Sequence, residues 1–490
     1  MMRATKWLVA VAACGFVALI VLLAYLRLAY PYEVEWMEGA MMDHSMRILD
    51  GLPLYSAPTI DFVPWLYPPL YYYIVAGAMK IVGVGFFAGR VVSFGSTLVT
   101  AGLLGWIVSR ITQRPALALL TFALYLATYH ATGFYFDIAR NDAFFTLLLV
   151  GSAAVAIKLD GLAGASLSGL LLALAFLTKQ QAIFFFPALA VWFWIQSKKQ
   201  SAVFAVIAVG LTVLVLWMWN HASDGWLFYY LFHIPSAKTS DLSWLRAIEV
   251  LPTYVFGTFA VSSLAAIGLM IRLYKTQESY ESRWTSSTGL LCLMSIAGLI
   301  AGAMSLGNDG GYANVMMPFA AFAVPMLPIT VEEVQSHWPT MERYAWLAVL
   351  FQLAAFYFNP SSEKMLIASP HQRAGGDAFM QKLRAMPGDV YIPYHGFITR
   401  LAGKPSHANI LATIDVLRTH DSTAVRLQRD LDSAFACHRF SAIIMEECPR
   451  IPCDSIAHYM LDGRMLLEPN VMLSRFGSEA SRPNYVYIPK

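Results

Sequence analysis

Long apolar stretches, separated by short polar connections, occupy most of the chain from Trp7 to Phe358. Each holds roughly 16–22 residues, and a helix needs about 20 residues to cross the apolar core of a bilayer. We therefore predict an all-α polytopic membrane bundle. The candidate segments are 7–28, 69–83, 88–109, 115–131, 141–158, 163–178, 181–196, 201–219, 250–272, 287–304, 314–330 and 342–358.

Segment 69–83 decides how the chain is oriented. It is short, follows Pro68-Pro69 and ends at a Gly-Val-Gly sequence, so we place it in the membrane interface. With this choice, nine of the thirteen Lys and Arg residues between positions 110 and 358 fall in cytoplasmic loops, as the positive-inside rule requires. We therefore predict about eleven membrane-spanning helices, a cytoplasmic N-terminus and a C-terminus outside the cytoplasm.

The composition changes at about residue 359, where the apolar stretches end. Short alternating segments such as 389–393, 440–445 and 485–488 predict strands, and 377–386 and 409–419 predict helices. We expect residues 1–358 to form the membrane module and 359–490 a small extracytoplasmic α/β domain. An oxidising exterior permits a disulfide there, with Cys448–Cys453 and Cys437–Cys448 as the two options.

Composition supports the membrane prediction and excludes some functions. Apolar residues make up 58% of the chain and charged residues only 13%, against about a quarter charged in soluble proteins. The net charge of +3 is small and no basic tract is present, so we expect no nucleic-acid partner. The N-terminal apolar run is too long for a signal peptide, which favours a retained first helix.

The first external loop, 29–87, is predicted to contain interfacial helices and carries an unusual acidic cluster. Three glutamates within six residues, among them Glu35 and Glu38, follow the first predicted span directly. A carboxylate at this place can accept a proton from an acceptor hydroxyl or bind a divalent cation. A merely solvated acidic loop is the alternative.

Three further polar positions fall on the same predicted face. Arg140 lies between acidic residues at the start of a span, where a phosphate would be favoured, and Asp142 follows it. The alternative for Asn141 or Asp142 is a helix cap. Lys179 lies at another outer helix end, and a Gly-rich turn there contains Asp309 and Asn314. Ionisable groups at such places are candidates for function.

Taken in order, these motifs resemble the GT-C superfamily of membrane glycosyltransferases over about residues 1–330. The closest branch is the bacterial family-39/87 or RgtA-like group, related to aminoarabinose transferases and protein mannosyltransferases. The matching motifs are Glu35-Trp-Met-Glu38-Gly39, Arg47-Ile-Leu-Asp-Gly51-Leu-Pro-Leu-Tyr55, Tyr67-Pro-Pro-Leu-Tyr-Tyr, Gly89-Arg90, Arg140-Asn-Asp142, Thr178-Lys179-Gln180 and the Gly-rich turn before Asn314.

The resemblance implies an inverting transfer of a sugar from a polyprenyl-phosphate donor to a hydroxyl of a lipid, glycan or protein. The reaction would take place on the outer face of a bacterial plasma membrane, among membrane lipids. In the family an acid of the first loop is the general base, and it corresponds to Glu35, with Glu38 as the second acid. Arg140, Asp142 and Lys179 fall at positions expected near the donor phosphate or a divalent cation, for which Glu35, Glu38 and Asp142 are the candidate ligands.

The remaining residues predicted to contact the donor phosphate or sugar are Asn314, Asp309 and Tyr67. Tyr67-Pro68-Pro69 replaces the Lys-Pro-Pro of the aminoarabinose branch, which argues against that branch's substrate. The first acid is also Glu where Asp is more usual. The alternative functions are a lipid-linked polysaccharide polymerase or ligase and a polytopic transporter.

Overall fold

The computed structural model describes residues 2–237, 244–275, 286–307, 311–357, 367–446, 456–465, 475–476, 479–480 and 482–490. Two of the sequence predictions fall outside these ranges. Asp309 is one of them, and the pairing of Cys448 with Cys453 is the other. Cys437 is described and is a free, exposed cysteine.

The part of the chain up to residue 357 is almost entirely helical, as predicted. The long helices follow the predicted apolar segments, and short helices lie in some of the connections between them. The α-helices are α1 (Met2–Leu28), α2 (Met37–Leu49), α3 (Leu70–Val82), α4 (Phe86–Thr112), α5 (Pro115–Ala127), α6 (Asn141–Lys158), α7 (Gly161–Phe176), α8 (Phe186–Gln196), α9 (Lys198–Ala222), α10 (Trp226–Phe228), α11 (Ile234–Ala237), α12 (Trp244–Pro252), α13 (Ala260–Lys275), α14 (Ser287–Leu306), α15 (Met317–Ala323), α16 (Met326–His337) and α17 (Glu342–Tyr357).

Fewer of these helices have the length of a membrane span than predicted. Six described helices or helix pairs are long and apolar enough, and a bent pair in 247–275 could add a seventh, against the eleven predicted. The difference comes from predicted spans such as α5 and α7, which have only 13 and 16 residues. At about 1.5 Å per residue they reach about 20 and 24 Å, short of the roughly 30 Å apolar core.

The C-terminal unit, defined here as the described residues after 366, is a small α/β structure, as predicted. Its helices are α18 (Pro370–Ala385), α19 (Gly396–Leu401), α20 (Ile410–Leu417) and α21 (Ser422–Ala436), and its strands are β1 (Val390–Tyr391), β2 (Ala442–Met445), β3 (Tyr459–Arg464), β4 (Arg475–Phe476), β5 (Glu479–Ala480) and β6 (Tyr485–Pro489). Four strands form a sheet of order β1-β2-β6-β3, in which only β1 and β2 are parallel. Strands β4 and β5 form a separate antiparallel pair.

The two ends of the helical bundle differ in what they carry. At one end, ion pairs join Lys6 to Glu342 at 2.6 Å and Arg114 to Glu332 at 3.2 Å, with exposed cationic side chains. The opposite end carries the loop between α1 and α3, the start of α6 and the C-terminal unit. Each predicted site residue that the structure describes lies at this second end.

Candidate active site

The acidic segment, residues 30–38, is held against the bundle by Arg90 of α4. The Arg90 guanidinium donates to both carboxylate oxygens of Glu38, at 2.8 Å from Nε and 2.7 Å from Nη2. It also donates to the backbone carbonyls of Arg27, Tyr30 and Tyr32 at 2.6–2.9 Å. One buried side chain therefore fixes the whole path of the chain from α1 into α2.

Glu38 is saturated with hydrogen-bond donors. Beyond Arg90, its carboxylate accepts from the backbone N–H groups of Ala139 at 2.8 Å and Val34 at 2.7 Å, with Glu35 N–H at 3.4 Å. Burial opposes its ionisation, but Arg90 outweighs burial and holds the pKa of Glu38 below its ordinary value. Glu38 is therefore an ionised anchor with little capacity left for a proton.

Glu35 is also buried but is bound much more loosely. Its two oxygens lie 3.3 and 3.4 Å from Nη1 of Arg140, and the Met37 N–H donates to one of them at 3.1 Å. Burial raises the pKa of Glu35 to about 7, although Arg140 acts in the opposite direction. A carboxylate with a pKa near neutrality is suited to take up a proton during a reaction.

A line of buried polar side chains continues from Glu35 into the bundle. Arg140 Nε lies 3.7 Å from Asp142 Oδ2, and Lys179 Nζ lies 2.6 Å from Asp142 Oδ1. The side-chain amide of Asn314 donates to the same Oδ1 at 2.9 Å. Three segments far apart in sequence thus meet at Asp142, and Glu35 joins them through Arg140. All five residues are less than a tenth exposed.

Helix capping does not account for the residues at the start of α6. The N-cap is Arg140, and no side chain among the described residues caps this end. Asn141 instead donates from Nδ2 to the carbonyl of Thr178 at 3.1 Å, which ties the Lys179 turn to α6. The two polar residues are therefore used for tertiary contacts.

Several buried polar atoms around this line make no hydrogen bond within the described residues. They include Arg140 Nε and Asp142 Oδ2, which are too far apart to bond each other, and the Tyr72 hydroxyl. Buried polar groups are nearly always paired, so atoms without a partner at a candidate site are consistent with a missing ligand.

Tyr67 lies beside the same line of side chains. Its side chain lies near Arg140, and its ring stacks on Trp65 at 6.4 Å between centroids. His44 holds this segment: its Nε2 accepts from the Trp65 N–H at 2.9 Å, and its Nδ1 bonds the Ala40 carbonyl at 2.7 Å. The stretch 65–67 is therefore fixed to α2, immediately after the acidic segment.

The candidate metal ligands do not form a ready cation site. Among the described residues, no group of three His, Cys, Asp or Glu side chains is arranged to hold a metal ion. Glu35 and Asp142 both pair with Arg140, and Glu38 is occupied by Arg90. A divalent cation at this place would have to displace an arginine.

Sequence reasoning did not identify the residues of two buried ionic contacts as site residues. Arg27 pairs with Asp137 at 3.1 Å, and the Tyr129 hydroxyl donates to Asp137 at 2.9 Å. His395 of the C-terminal unit contacts Glu33. The sequence contains a signal for two of these residues, since Arg27 lies at the end of an apolar run and Asp137 lies inside an otherwise apolar one. No comparable signal in the sequence points to His395.

Residues 67–219 match the family model described as dolichyl-phosphate-mannose-protein mannosyltransferase. No curated protein matches the chain. The fold is similar to that of ArnT from Cupriavidus metallidurans, solved in the apo state and bound to undecaprenyl phosphate, each with a TM-score of 0.59 and 13% identity over 99% of this chain and 98% of ArnT.

A second similar structure is the Archaeoglobus fulgidus oligosaccharyltransferase in complex with Zn and sulfate. It has a TM-score of 0.55 and 12% identity, over 89% of this chain and 67% of that one. The family match covers residues 67–219 only, and the solved structures share the fold over most of this chain. The chain is thus similar to the dolichyl-phosphate-mannose-protein mannosyltransferases in that region, and its overall fold is similar to that of ArnT.

Proposed function

We propose that this protein transfers a sugar from a polyprenyl-phosphate donor to an acceptor hydroxyl, with inversion at the anomeric carbon. The observation that carries the proposal is the buried line Glu35–Arg140–Asp142–Lys179. In this line Glu35, whose pKa is about 7, pairs with Arg140, and Asp142 links Arg140 to a second cation, Lys179. The ArnT structure bound to undecaprenyl phosphate supports a lipid phosphate as the donor's leaving group. The acceptor is a lipid, a glycan or a protein.

Glu35 is the proposed general base. The acceptor oxygen attacks the anomeric carbon, its proton passes to the Glu35 carboxylate, and the bond between that carbon and the phosphate oxygen breaks. A single displacement of this kind inverts the anomeric centre. The polyprenyl phosphate leaves with the bonding electrons, so charge grows on its oxygens as the bond breaks.

Arg140 and Lys179 are the proposed cations at that phosphate. Charge-assisted contacts to a phosphate are stronger than neutral ones, and here they would act in a buried setting. Asp142 lies between the two cations and would hold them apart in the absence of donor. Asn314 and Tyr67, next to this group, are proposed to contact the donor phosphate or sugar, and the same role is proposed for Asp309.

Glu38 is proposed to act through position rather than by accepting a proton. Its carboxylate already accepts from Arg90 and backbone N–H groups. We therefore assign it to holding the acidic segment, which places Glu35.

The decisive experiment replaces Glu35 by Gln, which keeps the shape of the side chain and removes the base. Membranes carrying E35Q should hold as much folded protein as wild type, but transfer from a labelled polyprenyl-phosphate sugar should fall by about 100-fold or more. The control is E342Q, an acid at the opposite end of the bundle, which should transfer normally. Wild-type transfer by E35Q would rule out Glu35 as the base.

The site is proposed to face the outside of a bacterial plasma membrane, with the N-terminus in the cytoplasm. The loops at the opposite end of the bundle carry Arg114, Lys158 and Lys198, as expected for a cytoplasmic face. A reporter after Lys199 should then report the cytoplasm, and one fused to the C-terminus should report the exterior. The reverse result would invert the whole assignment.

A further inference from the structure

His395, the residue before α19, lies fully buried between two carboxylates. Its Nδ1 contacts Glu33 of the acidic segment, and its Nε2 lies 2.7 Å from Glu446 after β2. A neutral imidazole has only one N–H and could donate to only one of these acids. Burial opposes protonation, but the two carboxylates outweigh it and raise the pKa of His395 to about 10. The two contacts therefore favour the protonated form of His395.

Glu33 is fixed as closely as its partner. One of its carboxylate oxygens lies against the Cα of Gly39, where the Cβ of any other residue would overlap it. The same imaginary Cβ would be 3.4 Å from Phe397, so α19 and α2 approach each other closely at this point. The glycine of the Glu-Trp-Met-Glu-Gly motif thus makes room for the acid that His395 holds.

The acidic segment is held from two sides. The membrane helices hold its backbone: Arg90 binds the carbonyls of Tyr30 and Tyr32, and Glu38 accepts from the Val34 N–H. The C-terminal unit holds its side chains. The Tyr32 ring packs on Gly376 and its hydroxyl contacts Asp377, while Glu33 contacts His395. Glu35 follows directly after these contacts.

We propose that His395 is a positioning residue for the transfer reaction, holding Glu33 so that the Glu35 carboxylate stays directed at Arg140. The C-terminal unit then supplies part of the active-site framework. This inference rests on the proposed function only in taking Glu35 as the base; the part that concerns the geometry of residues 30–38 stands independently.

The attachment of the C-terminal unit does not depend on His395 alone. Elsewhere on the same boundary, Ser406 donates to Asp43 at 2.8 Å and Arg400 donates to Asp50 at 2.8 Å. His407 bonds Asp61 at 3.0 Å. These contacts lie farther along the first loop than Glu35. Loss of His395 should therefore disturb the acidic segment locally and leave the unit attached.

The test compares H395Q with H407Q in the full-length protein. Both histidines belong to the C-terminal unit, both are buried, and both contact an acid of the first loop. Steady-state transfer should show kcat lowered by about 10- to 100-fold in H395Q with the donor KM within twofold of wild type. H407Q should keep both constants. Hydrogen exchange should be faster over residues 30–38 in H395Q alone.

Each outcome decides a separate question. Unchanged kcat and unchanged exchange in H395Q would overturn the proposal, as would an equal loss of kcat in H407Q. Faster exchange at 30–38 together with an active E35Q would keep His395 as the residue that orders this segment while rejecting Glu35 as the base.

If H395Q does not fold, a double variant tests the same proposal. E33Q/H395Q removes both members of the buried pair and leaves no unpaired charge on the acidic segment. It should accumulate and still show the low kcat and the faster exchange. Wild-type kcat in E33Q/H395Q would overturn the proposal.

Discussion

Glu35 and Glu38 lie three residues apart in one segment, and each is buried beside an arginine, yet their surroundings are opposite. Glu38 receives two hydrogen bonds of 2.7–2.8 Å from Arg90 and three more from backbone N–H groups, two of them also at 2.7–2.8 Å. Glu35 has contacts of 3.3–3.4 Å to Nη1 of Arg140 and one hydrogen bond of 3.1 Å from the Met37 N–H, and Arg140 is shared with Asp142. Burial and an arginine partner therefore do not distinguish a reactive acid from a structural one. The two acids differ in how many hydrogen bonds the carboxylate oxygens already accept, and the reactive acid accepts fewer.

Because their surroundings differ, the two acids also differ in their pKa values. Both carboxylates are penalised by burial, but Arg90 lowers the pKa of Glu38 and leaves it ionised. Burial raises the pKa of Glu35 to about 7, because Arg140 compensates only in part. One acid is thus fixed as a structural anion, and the other can change its protonation state near neutral pH.

The largest expected effect comes from breaking the Glu38 pair. R90M leaves a buried carboxylate without its cation and three backbone carbonyls without their donor. Removing one partner of a buried ion pair costs about 3–5 kcal/mol. We expect R90M to lower the yield of folded protein and the melting temperature in detergent.

The matched control is R140M, which removes the looser arginine. It should accumulate and melt close to wild type while losing transfer. If R90M and R140M melted alike, the distinction between an anchoring and a reactive pair would fail.

The next largest loss of activity is expected from removing a cation of the buried line that begins at Glu35. K179A removes the 2.6 Å partner of Asp142 and one proposed phosphate contact. A hydrogen bond to a charged group contributes about 1.5–3 kcal/mol, so kcat/KM for the donor should fall by about 10- to 100-fold. The acceptor KM should stay unchanged. K198A, at the opposite end of the bundle, serves as the control, and an unchanged kcat/KM for the donor in K179A would remove Lys179 from the donor site.

A smaller effect is expected where the acidic segment packs on α2. In G39A the added Cβ overlaps the Glu33 carboxylate, and overpacking of this kind costs about 1–3 kcal/mol. G77A in α3 is the control, because a Cβ there meets open space. Melting temperatures and transfer rates of both variants check the prediction. Equal behaviour of the two variants would mean that Glu33 can move without consequence.

The sequence predicted much of this molecule because hydropathy and local motifs act over short distances. The apolar runs became helices, and the structure brings Glu35, Arg140, Asp142, Lys179 and Asn314 together at one end. Among the described residues, six or seven helices meet the length criterion for a span, against the eleven predicted. The 13-residue helix α5 has the composition of a span without its length.

What the sequence did not predict depends on pairing across long distances. Glu38 and Glu35 look alike in the motif, and only the fold shows that Arg90, 52 residues on from Glu38, occupies one of them. His395 lies 362 residues beyond its partner Glu33, in a unit with no recognised motif. Such partners cannot be inferred from spacing, because no local rule connects them.

The pH dependence of transfer gives the most direct comparison of the two acids. A base must be unprotonated to accept a proton, and the pKa of Glu35 is about 7, so activity should be low below that pH and rise through it. Below about pH 7, kcat should fall by about tenfold for each pH unit. Glu38, with its lowered pKa, stays ionised over this range and adds no second step. Rates measured from pH 5.5 to 8.5 at saturating donor test this, and a flat profile would show that Glu35 is already ionised throughout, as Glu38 is.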